Sequence, residues 1–283
     1  MSSHLHRCGF AALLGRPNVG KSTLLNALVG EKASIVSDKV NTTRRAIRAV
    51  AHLEGAQVIF VDTPGLHRPR TLLGERLNDS ARAAMDGIDV AIAVFDATCA
   101  VGKGDAMVAR QVGREGLAVL NKADAASASQ LAARSRELAE FFASEPLAVS
   151  GLTGQGVDAL AAKVASCMPE GPPLYPPEAL AEMSEGEWVA ELVREQLLAL
   201  VKDELPHSIA CRVTEWEPPV VRVEILVERS SQKAIVVGKG GANLKAVGIA
   251  AREQMPKGTY LDLFVKVSRD WQRRPKELDS LGL

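Results

Sequence analysis

Short apolar runs alternate with longer amphipathic segments through the first 168 residues of the chain. The apolar runs lie at 10–14, 58–61, 90–95, 117–120 and 147–149. Segments with apolar residues three and four positions apart lie between them, at 21–29, 73–85 and 130–142. Strands that are apolar on both faces and separated by helices predict a mostly parallel sheet with helices on both sides. Residues 48–53 and 57–61 predict a hairpin, which gives this sheet an antiparallel edge.

A proline-rich segment separates this half from one with a different pattern. Residues 169–177 (PEGPPLYPP) hold five prolines, so they cannot continue a helix and favour extended backbone. Beyond them the pattern predicts a long helix at 188–205, ended by Pro206, and then two strands at 209–214 and 220–227. A helix from 232, a second helix at 243–254 and a last strand at 261–267 complete the predicted order. We therefore predict a first domain at 1–168, a linker at 169–185 and an α-β-β-α-α-β domain at 186–283.

The amino-acid composition indicates only that the chain is an ordinary folded protein. The 283 residues are 47% apolar and 24% charged with a formal net charge of +0, which excludes general disorder and suffices for two folded domains. The four cysteines, at positions 8, 99, 167 and 211, have neither metal-site nor disulfide-framework spacing. Because no signal peptide or 18-residue apolar stretch is present, we expect a cytoplasmic protein.

The stretch GRPNVGKS at 15–22 fits the phosphate-loop pattern G-x-x-x-x-G-K-[ST] between a predicted strand and a predicted helix. Glycines let the backbone approach phosphates, and the helix N-terminus adds partial positive charge. Lys21 would neutralise the β and γ oxygens and Ser22 would ligate Mg²⁺. The alternative, a chance glycine turn, is disfavoured by the flanking elements. The predicted nucleotide-binding residues here are Gly15, Arg16, Pro17, Asn18, Val19, Gly20, Lys21, Ser22 and Thr23.

A second phosphate motif, DTPG, follows the strand predicted at 58–61. Its aspartate can hold Mg²⁺, and its glycine can offer a backbone N–H to the γ-phosphate. Alone the motif is weak, because Asp and Gly often end strands, but its position after the phosphate loop strengthens it. We predict nucleotide contacts from Asp62, Thr63, Pro64 and Gly65.

The motif NKAD after the strand at 117–120 indicates which base is bound. The Asp124 carboxylate can accept two parallel hydrogen bonds from guanine, whereas adenine offers neither donor. Asn121 would brace the pocket and the Lys122 stem would cover the base. A backbone N–H from Ser150, Gly151 or Leu152 is suited to the guanine carbonyl, and a plain strand-end turn is the alternative for each motif alone.

The order GRPNVGKS, TTR, DTPG, NKAD and SGL resembles the GTPase superclass of P-loop proteins. The resemblance implies GTP as substrate, GDP as product and Mg²⁺ as cofactor. It also implies that a threonine of the first switch closes on Mg²⁺ and the γ-phosphate, with Thr43 favoured and Thr42 as the alternative. The implied metal ligands are Ser22, Thr43 and Asp62, and the implied catalytic residues are Asn18, Lys21, Thr43 and Gly65.

Leu66 stands where many GTPases carry a glutamine that orients water. An apolar side chain cannot do this, so intrinsic hydrolysis is expected to be slow or assisted from elsewhere. The chain is similar in this respect to GTPases in which the asparagine at the position of Asn18 helps to bind K⁺. In the alternative interpretation, Asn18 only stabilises the loop turn.

The sequence IVVGKGGANLK contains G-x-x-G between two predicted helices, the signature of a KH domain. Such a loop approaches a single-stranded RNA backbone closely, although a lone G-x-x-G is often only a turn. Within the predicted α-β-β-α-α-β order it is a strong signal. The RNA-binding residues predicted from this loop and the basic tail are Gly238, Lys239, Gly240, Gly241, Lys245, Arg273 and Arg274.

A P-loop GTPase domain followed by a type II KH domain resembles the Era family of bacterial ribosome-assembly GTPases. Further matching stretches are DTPGLHRP, DELPHSIACRV and FVKVSRDWQRRP. Departures are Asn41 for a usual Gln, Arg45 for a frequent His, and SGL for SAL or SAK. The resemblance implies a monomeric, GTP-gated factor that binds 16S ribosomal RNA near its 3′ end during 30S subunit maturation, with loose association with the inner membrane.

Two alternatives from other classes remain at this point. One is a metabolic or signalling NTPase whose C-terminal domain contacts only protein, and the other is an RNA-binding module with an inert G domain. The tail from Trp271 to Lys276 could contact anionic headgroups, but we expect it to be solvated and to face RNA.

Although the net charge of the whole chain is zero, basic and acidic residues are unevenly distributed along it. Residues 229–283 carry 11 basic and 5 acidic side chains, and residues 178–228 carry 4 and 12. The segment that holds the G-x-x-G loop is therefore basic, as an RNA contact requires. We further expect that the acidic residues 185, 187, 191 and 195 restrain nonspecific RNA binding.

Overall fold

A computed structural model describes residues 6–39, 42–65, 69, 71–201 and 205–283. The chain divides into two compact units. The first comprises Met1–Ser34, Thr43–Arg68 and Leu77–Glu182, and the second comprises Ile35–Thr42, Pro69–Arg76 and Met183–Leu283. The main division thus falls inside the predicted linker. The grouping of two short loop-containing segments with the second unit has no counterpart in the sequence pattern.

The first unit is built on a six-stranded sheet. Its strands are β1 (Arg7–Leu14), β2 (Ile47–Leu53), β3 (Ala56–Asp62), β4 (Val90–Asp96), β5 (Leu117–Asn121) and β6 (Leu147–Ala148). Their order is β2-β3-β1-β4-β5-β6, and every pairing is parallel except β2 with β3. The predicted parallel sheet with an antiparallel hairpin edge is confirmed.

The helices described in this part of the chain are α1 (Lys21–Val29), α2 (Leu72–Ala83), whose first five residues group with the second unit, α3 (Lys103–Val112), α4 (Ala128–Leu138) and α5 (Val157–Cys167). Residues of α3 and α4 form a core cluster with every second residue of β1, β4 and β5, and α1 and α5 contact each other and β3. Helices therefore cover both faces, as predicted. α3 and α5 were not singled out by the sequence pattern, because their short apolar stripes lie next to glycine-rich loops.

The proline-rich segment runs along the edge of the first unit. Gln57 holds its backbone, since its side-chain oxygen accepts hydrogen bonds from the N–H groups of Leu174 (2.8 Å) and Tyr175 (3.0 Å). Further on, the N–H of Val50 in β2 donates to the carbonyl of Leu180 at 2.9 Å. The extended backbone that proline favours thus adds to the sheet edge.

The second unit contains α6 (Glu185–Leu200), β7 (Ala210–Glu217), β8 (Val220–Val227), α7 (Ser230–Val237), α8 (Ala242–Arg252), β9 (Tyr260–Val267) and α9 (Pro275–Ser280). Its sheet has the order β7-β8-β9, with β8 antiparallel to β7 and parallel to β9. Apolar residues of α6, α7 and α8 pack on alternate residues of β8 and β9. The α-β-β-α-α-β order is confirmed, and α9 follows it.

Two details of the second unit differ from expectation. The first helix begins at Glu185, where Ser184 and Glu187 form a capping box, and it ends at Leu200 because Val201 is extended. The helix predicted to reach 205 is therefore too long. The predicted solvated tail is also wrong at Trp271, which is fully buried and donates its indole N–H to the carbonyl of Ser208 at 3.0 Å. Among the described residues, no helix is both long and apolar enough to cross a membrane.

Candidate functional site

The phosphate loop connects the end of β1 to the start of α1, where sequence analysis places it. Gly20 caps α1 in the left-handed region at φ 90°, and a Cβ there would lie 2.5 Å from the side-chain nitrogen of Asn121. Only glycine fits this position without displacing its neighbour. The N-terminus of α1 is thereby left open toward the loop, as a phosphate site requires.

Lys21 lies buried in this loop with its amine directed at backbone oxygens. Its Nζ donates to the carbonyls of Gly15 (3.0 Å) and Arg16 (3.1 Å). Burial lowers the pKa of the Lys21 amine, against the opposing effect of the Asp62 carboxylate. The negative charge of a phosphate bound in the loop would compensate the positive charge of the Lys21 amine.

The side chain of Arg16 turns away from the loop interior. Its guanidinium pairs with the buried carboxylate of Asp105 in α3 at 3.0 Å. Arg16 therefore anchors the loop to α3, and only its backbone belongs to the phosphate cradle. Sequence analysis missed Asp105, whose sole signal was an acidic residue in the first turn of a helix.

Three oxygen-bearing side chains converge beside the loop, and they are the residues predicted to hold Mg²⁺. The Ser22 hydroxyl donates to Asp62 Oδ2 at 2.7 Å, the Thr43 hydroxyl donates to the same oxygen at 3.1 Å, and the two hydroxyls are 3.0 Å apart. Thr42 instead donates to the carbonyl of Lys39 at 2.7 Å. Of the two candidate threonines, the structure thus brings Thr43 to the site.

Asp62 is fully buried, and its Oδ1 has no hydrogen-bond partner among the described residues. Burial raises the pKa of the Asp62 carboxyl, although nearby Lys21 and three hydroxyl groups oppose this shift. An orphaned carboxylate oxygen beside two hydroxyls is a donor set that suits a hard cation such as Mg²⁺. The residues present therefore fit the predicted ion.

The remainder of the DTPG motif lies against the phosphate loop. The Thr63 hydroxyl donates to the carbonyl of Leu13 at 2.9 Å, which fixes the end of β3 to the end of β1. A Cβ on Gly65 would lie 3.0 Å from Pro17, so the close approach of the two loops favours glycine. Pro64 is buried within the motif, whereas Leu66, the predicted substitute for a water-orienting glutamine, lies outside the described residues.

Asn121 holds the base-side loops together. Its amide nitrogen donates to the carbonyls of Val19 (2.9 Å) and Gly20 (3.3 Å), and its oxygen accepts from the N–H of Gly151 (3.0 Å). This is the bracing role predicted for Asn121. Because the Gly151 N–H is bonded to Asn121, it braces the pocket and does not face the base.

Lys122 extends over the phosphate loop in the left-handed conformation, at φ 63°. Its Nζ donates to the carbonyl of Asn18 at 2.7 Å and pairs with Asp96 at 2.6 Å. The stem is therefore held where it can cover a base. Asp96, at the end of β4, was missed by sequence analysis, since a single strand-end aspartate carries no motif.

The remaining residues predicted to recognise the base are Asp124, Ser150 and Leu152. Asp124 lies exposed in a 3₁₀ turn at Ala123–Ala125, with its carboxylate accessible to a ligand. Ser150 is fully buried, and its hydroxyl accepts a hydrogen bond from the N–H of Thr153 at 3.1 Å. Leu152 is 79% exposed, so its side chain is accessible to a bound base.

The G-x-x-G loop of the second unit joins α7 to α8. Gly238, Gly240 and Gly241 all have positive φ, of 71°, 59° and 80°. No atom lies within 4 Å of a Cβ built on Gly240 or Gly241, so this backbone is open to a ligand. Lys239 and Lys245 are exposed beside it. A flexible cation next to accessible backbone is suited to an RNA phosphate.

The two predicted RNA contacts of the tail are arranged differently. Arg273 is exposed, in a 3₁₀ turn at Trp271–Arg273. Arg274 is also exposed, but its guanidinium is engaged within the unit, where it donates to the hydroxyl of Ser268 and pairs with Glu277 at 3.3 Å. Arg273 is therefore more available than Arg274 to contact RNA. Both RNA contacts stay predictions.

Comparisons with known families match both units. A family described as 50S ribosome-binding GTPase matches residues 10–122, and the KH domain family matches residues 204–272. The chain is 45% identical to GTPase Era of Mycobacterium bovis, over 97% of this chain and 98% of that protein. It is 44% identical to GTPase Era of Streptomyces coelicolor, over 98% and 95%.

Two solved structures are similar over nearly the whole chain. A point variant of Aquifex aeolicus Era bound to GDP·AlF4⁻ has a TM-score of 0.91 at 34% identity, covering 98% of this chain and 99% of that one. Era in complex with MgGDPNP and nucleotides 1506–1542 of 16S ribosomal RNA has a TM-score of 0.93 at 33% identity, with the same coverage.

Proposed function

The chain belongs to the Era family of GTPases, and from this premise we propose that it is a GTP-hydrolysing switch that binds 16S ribosomal RNA near its 3′ end and assists maturation of the 30S subunit. The observation that carries the proposal is the presence, in one chain, of a complete nucleotide site and an open, cation-flanked GKGG loop. Neither alternative function accounts for both.

The nucleotide site supplies binding, orientation and charge. The phosphate loop and the N-terminus of α1 receive the phosphates, and Lys21 places its cation among them. Ser22, Thr43 and Asp62 would hold Mg²⁺, which neutralises charge that develops on the phosphate oxygens. Gly65 keeps the DTPG loop close enough for its backbone to meet the γ-phosphate. The protein's contribution to hydrolysis is thus positioning and electrostatic stabilisation.

We extend the proposal to K⁺ as a second cation near Asn18. Asn18 adopts φ 66°, a conformation in which asparagine is favoured over most residues, so the turn alone also accounts for its identity. Turnover measured in KCl and in NaCl separates the two roles. A higher kcat in KCl supports a K⁺ site, whereas equal rates reduce Asn18 to a turn residue.

The basic part of the second unit is the proposed RNA contact. The exposed Lys239, the open backbone at Gly240 and Gly241, and the nearby Lys245 would follow the RNA backbone. The similarity of this chain to an Era that was solved in complex with 16S ribosomal RNA supports the same assignment. Cytoplasmic location and a monomeric state stay proposals, as does loose membrane association, for which the buried Trp271 offers no contact.

The decisive experiment measures RNA affinity of the full chain with a GTP analogue and with GDP. The probe is a single-stranded RNA with the sequence of the 3′ end of 16S ribosomal RNA. We expect tighter binding with the analogue, and we expect Lys239→Ala to weaken binding about ten-fold and to lower the salt slope by about one.

The matched control is Lys257→Ala, which removes the same charge from an exposed turn beyond the far end of α8. It should leave both quantities close to those of the unsubstituted chain. Equal RNA affinity in the two nucleotide states would contradict the switch. Equal effects of the two substitutions would contradict the assignment of the GKGG loop.

A further inference from the structure

Two carboxylates, one on each side of the connection between β4 and α3 (residues 97–102), hold the phosphate loop from outside. Asp96, at the end of β4, pairs with Lys122, whose Nζ also donates to the carbonyl of Asn18 at 2.7 Å. Asp105, in the first turn of α3, pairs with the guanidinium of Arg16 at 3.0 Å. The first contact belongs to the base-binding motif, whereas the second involves a carboxylate that lies in no sequence motif.

The ion pair between Arg16 and Asp105 is supported on both sides. The Asp105 side chain is 8% exposed, and its Oδ2 also accepts a hydrogen bond from the N–H of Gly102 at 2.9 Å. The Arg16 stem lies against α3, since a Cβ on Gly104 would be 2.9 Å from Arg16 Cδ. Because the dipole of a helix repels a cation at its N-terminus, this position is favourable for Arg16 only when Asp105 supplies a negative charge.

The backbone of Arg16 helps to direct the Lys21 amine. Lys21 Nζ donates to the carbonyls of Gly15 at 3.0 Å and Arg16 at 3.1 Å. A lysine amine has three donors, so two hydrogen bonds to the loop leave one donor for a phosphate and fix its direction. A displacement of the Arg16 carbonyl would therefore turn the remaining donor away from the phosphate.

Pro17 makes the Arg16 side chain an effective handle on this carbonyl. A residue before proline is restricted to extended values of ψ, so the main torsion left to the Arg16 backbone is φ. Rotation about φ moves the side chain and the carbonyl group together. An Arg16 side chain that is held at α3 therefore also holds the carbonyl that Lys21 contacts.

We propose that Asp105 is a positioning residue for GTP hydrolysis, which holds Arg16 on α3 and thereby directs the Lys21 amine at the phosphates. The inference rests on the proposed function. Nucleotide binding draws on the base pocket and on many backbone groups, whereas the charge that develops on the phosphate oxygens in the transition state depends on where each cation lies. Loss of the Asp105 charge should therefore lower the rate of hydrolysis more than nucleotide affinity.

The test measures kcat and KM for GTP in full-length variants with Mg²⁺ present. Asp105→Asn keeps the shape of the side chain and an acceptor for the Gly102 N–H, but it removes the negative charge that faces Arg16. We expect kcat to fall about ten-fold, while KM and the Kd for fluorescent GDP change by less than about two-fold.

A double-mutant cycle distinguishes positioning through Arg16 from general support of α3. Arg16→Met keeps an apolar stem but removes the guanidinium, and it should lower kcat by about the same factor as Asp105→Asn. In that background Asp105→Asn should have no further effect, because the group through which it acts is gone. Arg16→Lys, which keeps a cation opposite Asp105, should recover part of the rate. Because Arg16 is exposed, its variants test the same pair even if Asp105→Asn does not fold.

Glu137→Gln is the matched control. The Glu137 carboxylate of α4 likewise pairs with an arginine, Arg134 at 2.8 Å, and accepts a hydrogen bond from a backbone N–H, that of Val101 at 3.0 Å. It holds the same connection with the same chemistry, but among the described residues none of its hydrogen bonds or ion pairs involves the phosphate loop. Its kcat should stay within about two-fold of that of the unsubstituted chain.

The inference is overturned if Asp105→Asn keeps the kcat of the unsubstituted chain, or if the effects of Asp105→Asn and Arg16→Met multiply in the double variant. An equal fall in kcat for Glu137→Gln would also overturn it, since the effect would then not depend on Arg16. Failure of the proposed function is a separate result, because it would appear as absent GTP turnover in the unsubstituted chain.

Discussion

Single residues of the nucleotide site are constrained mainly by close backbone approach. Gly151 is the clearest case, because a Cβ there would lie 2.8 Å from Leu24 Cα and 2.9 Å from Leu24 N in α1. Helix backbone cannot rotate away as a side chain can. This contact gives a physical reason for glycine in the SGL motif of this chain.

We therefore predict that Gly151→Ala weakens guanine-nucleotide binding. The added methyl group would push the loop from α1 and strain the Gly151–Asn121 hydrogen bond, at a cost of about 1–3 kcal/mol. Titration with fluorescent GDP measures the effect. Gly171→Ala is the control, since no atom lies within 4 Å of its Cβ. Unchanged affinity in Gly151→Ala would show that the loop adjusts freely.

At the scale of elements, strand ends and the loops after them build the site together. Asp96 at the end of β4 pairs with Lys122 after β5, and its oxygens also accept from the N–H and hydroxyl of Thr98 at 2.9 and 2.6 Å. Partial burial opposes ionisation, but the hydrogen bonds from Lys122 and Thr98 outweigh it and lower the pKa of Asp96. Two neighbouring strand ends are thereby tied to the phosphate loop.

A carboxyl group whose pKa is lower in the folded state stabilises the fold above its unfolded pKa, and this contribution is lost as the pH falls through the folded value. Asp96→Asn should lower the free energy of unfolding at pH 7 by about 0.5–1 kcal/mol. The difference from the unsubstituted chain should narrow below about pH 4. Urea unfolding of both proteins at pH 7 and pH 3 checks this.

The matched control for Asp96→Asn is Asp79→Asn, which breaks an exposed pair with Arg82 in α2. It should have a smaller effect at neutral pH, because surface pairs with both partners in water contribute little. A pH-independent loss in Asp96→Asn would assign the destabilisation to the Thr98 turn and not to the charge.

For the whole molecule, the C-terminal residues contribute to the core of the second unit as well as to its charge. Trp271 is fully buried, Leu278 in α9 is fully buried, and Arg212 of β7 pairs with Glu277 at 3.7 Å. The C-terminal tail, which the sequence predicted to be solvated, is thus partly buried in the core of the second unit. Its exposed face, with Arg273, keeps the charge suited to RNA.

We predict that Trp271→Ala destabilises the second unit by about 3–5 kcal/mol, because a large buried side chain and its hydrogen bond to Ser208 are both lost. Calorimetry of the full chain should show an unfolding transition shifted to lower temperature. Arg273→Ala should leave that transition in place and weaken RNA binding. An unshifted transition in Trp271→Ala would mean that the tail is not part of the core.

The fold class, the strand-and-helix order and the positions of the four motifs follow from the amino-acid sequence alone, because they depend on local periodicity and on turns that are set by their own residues. GRPNVGKS, DTPG, NKAD and GKGG all lie on the predicted kind of turn. Only in the folded chain does it become clear that Thr43 and not Thr42 meets Asp62, that Arg16 turns to Asp105, and that Trp271 is buried. The same holds for the contact of Arg194 in α6 with Thr42, since the two residues are 152 positions apart. Contacts of that kind depend on how distant elements pack, which local spacing does not encode.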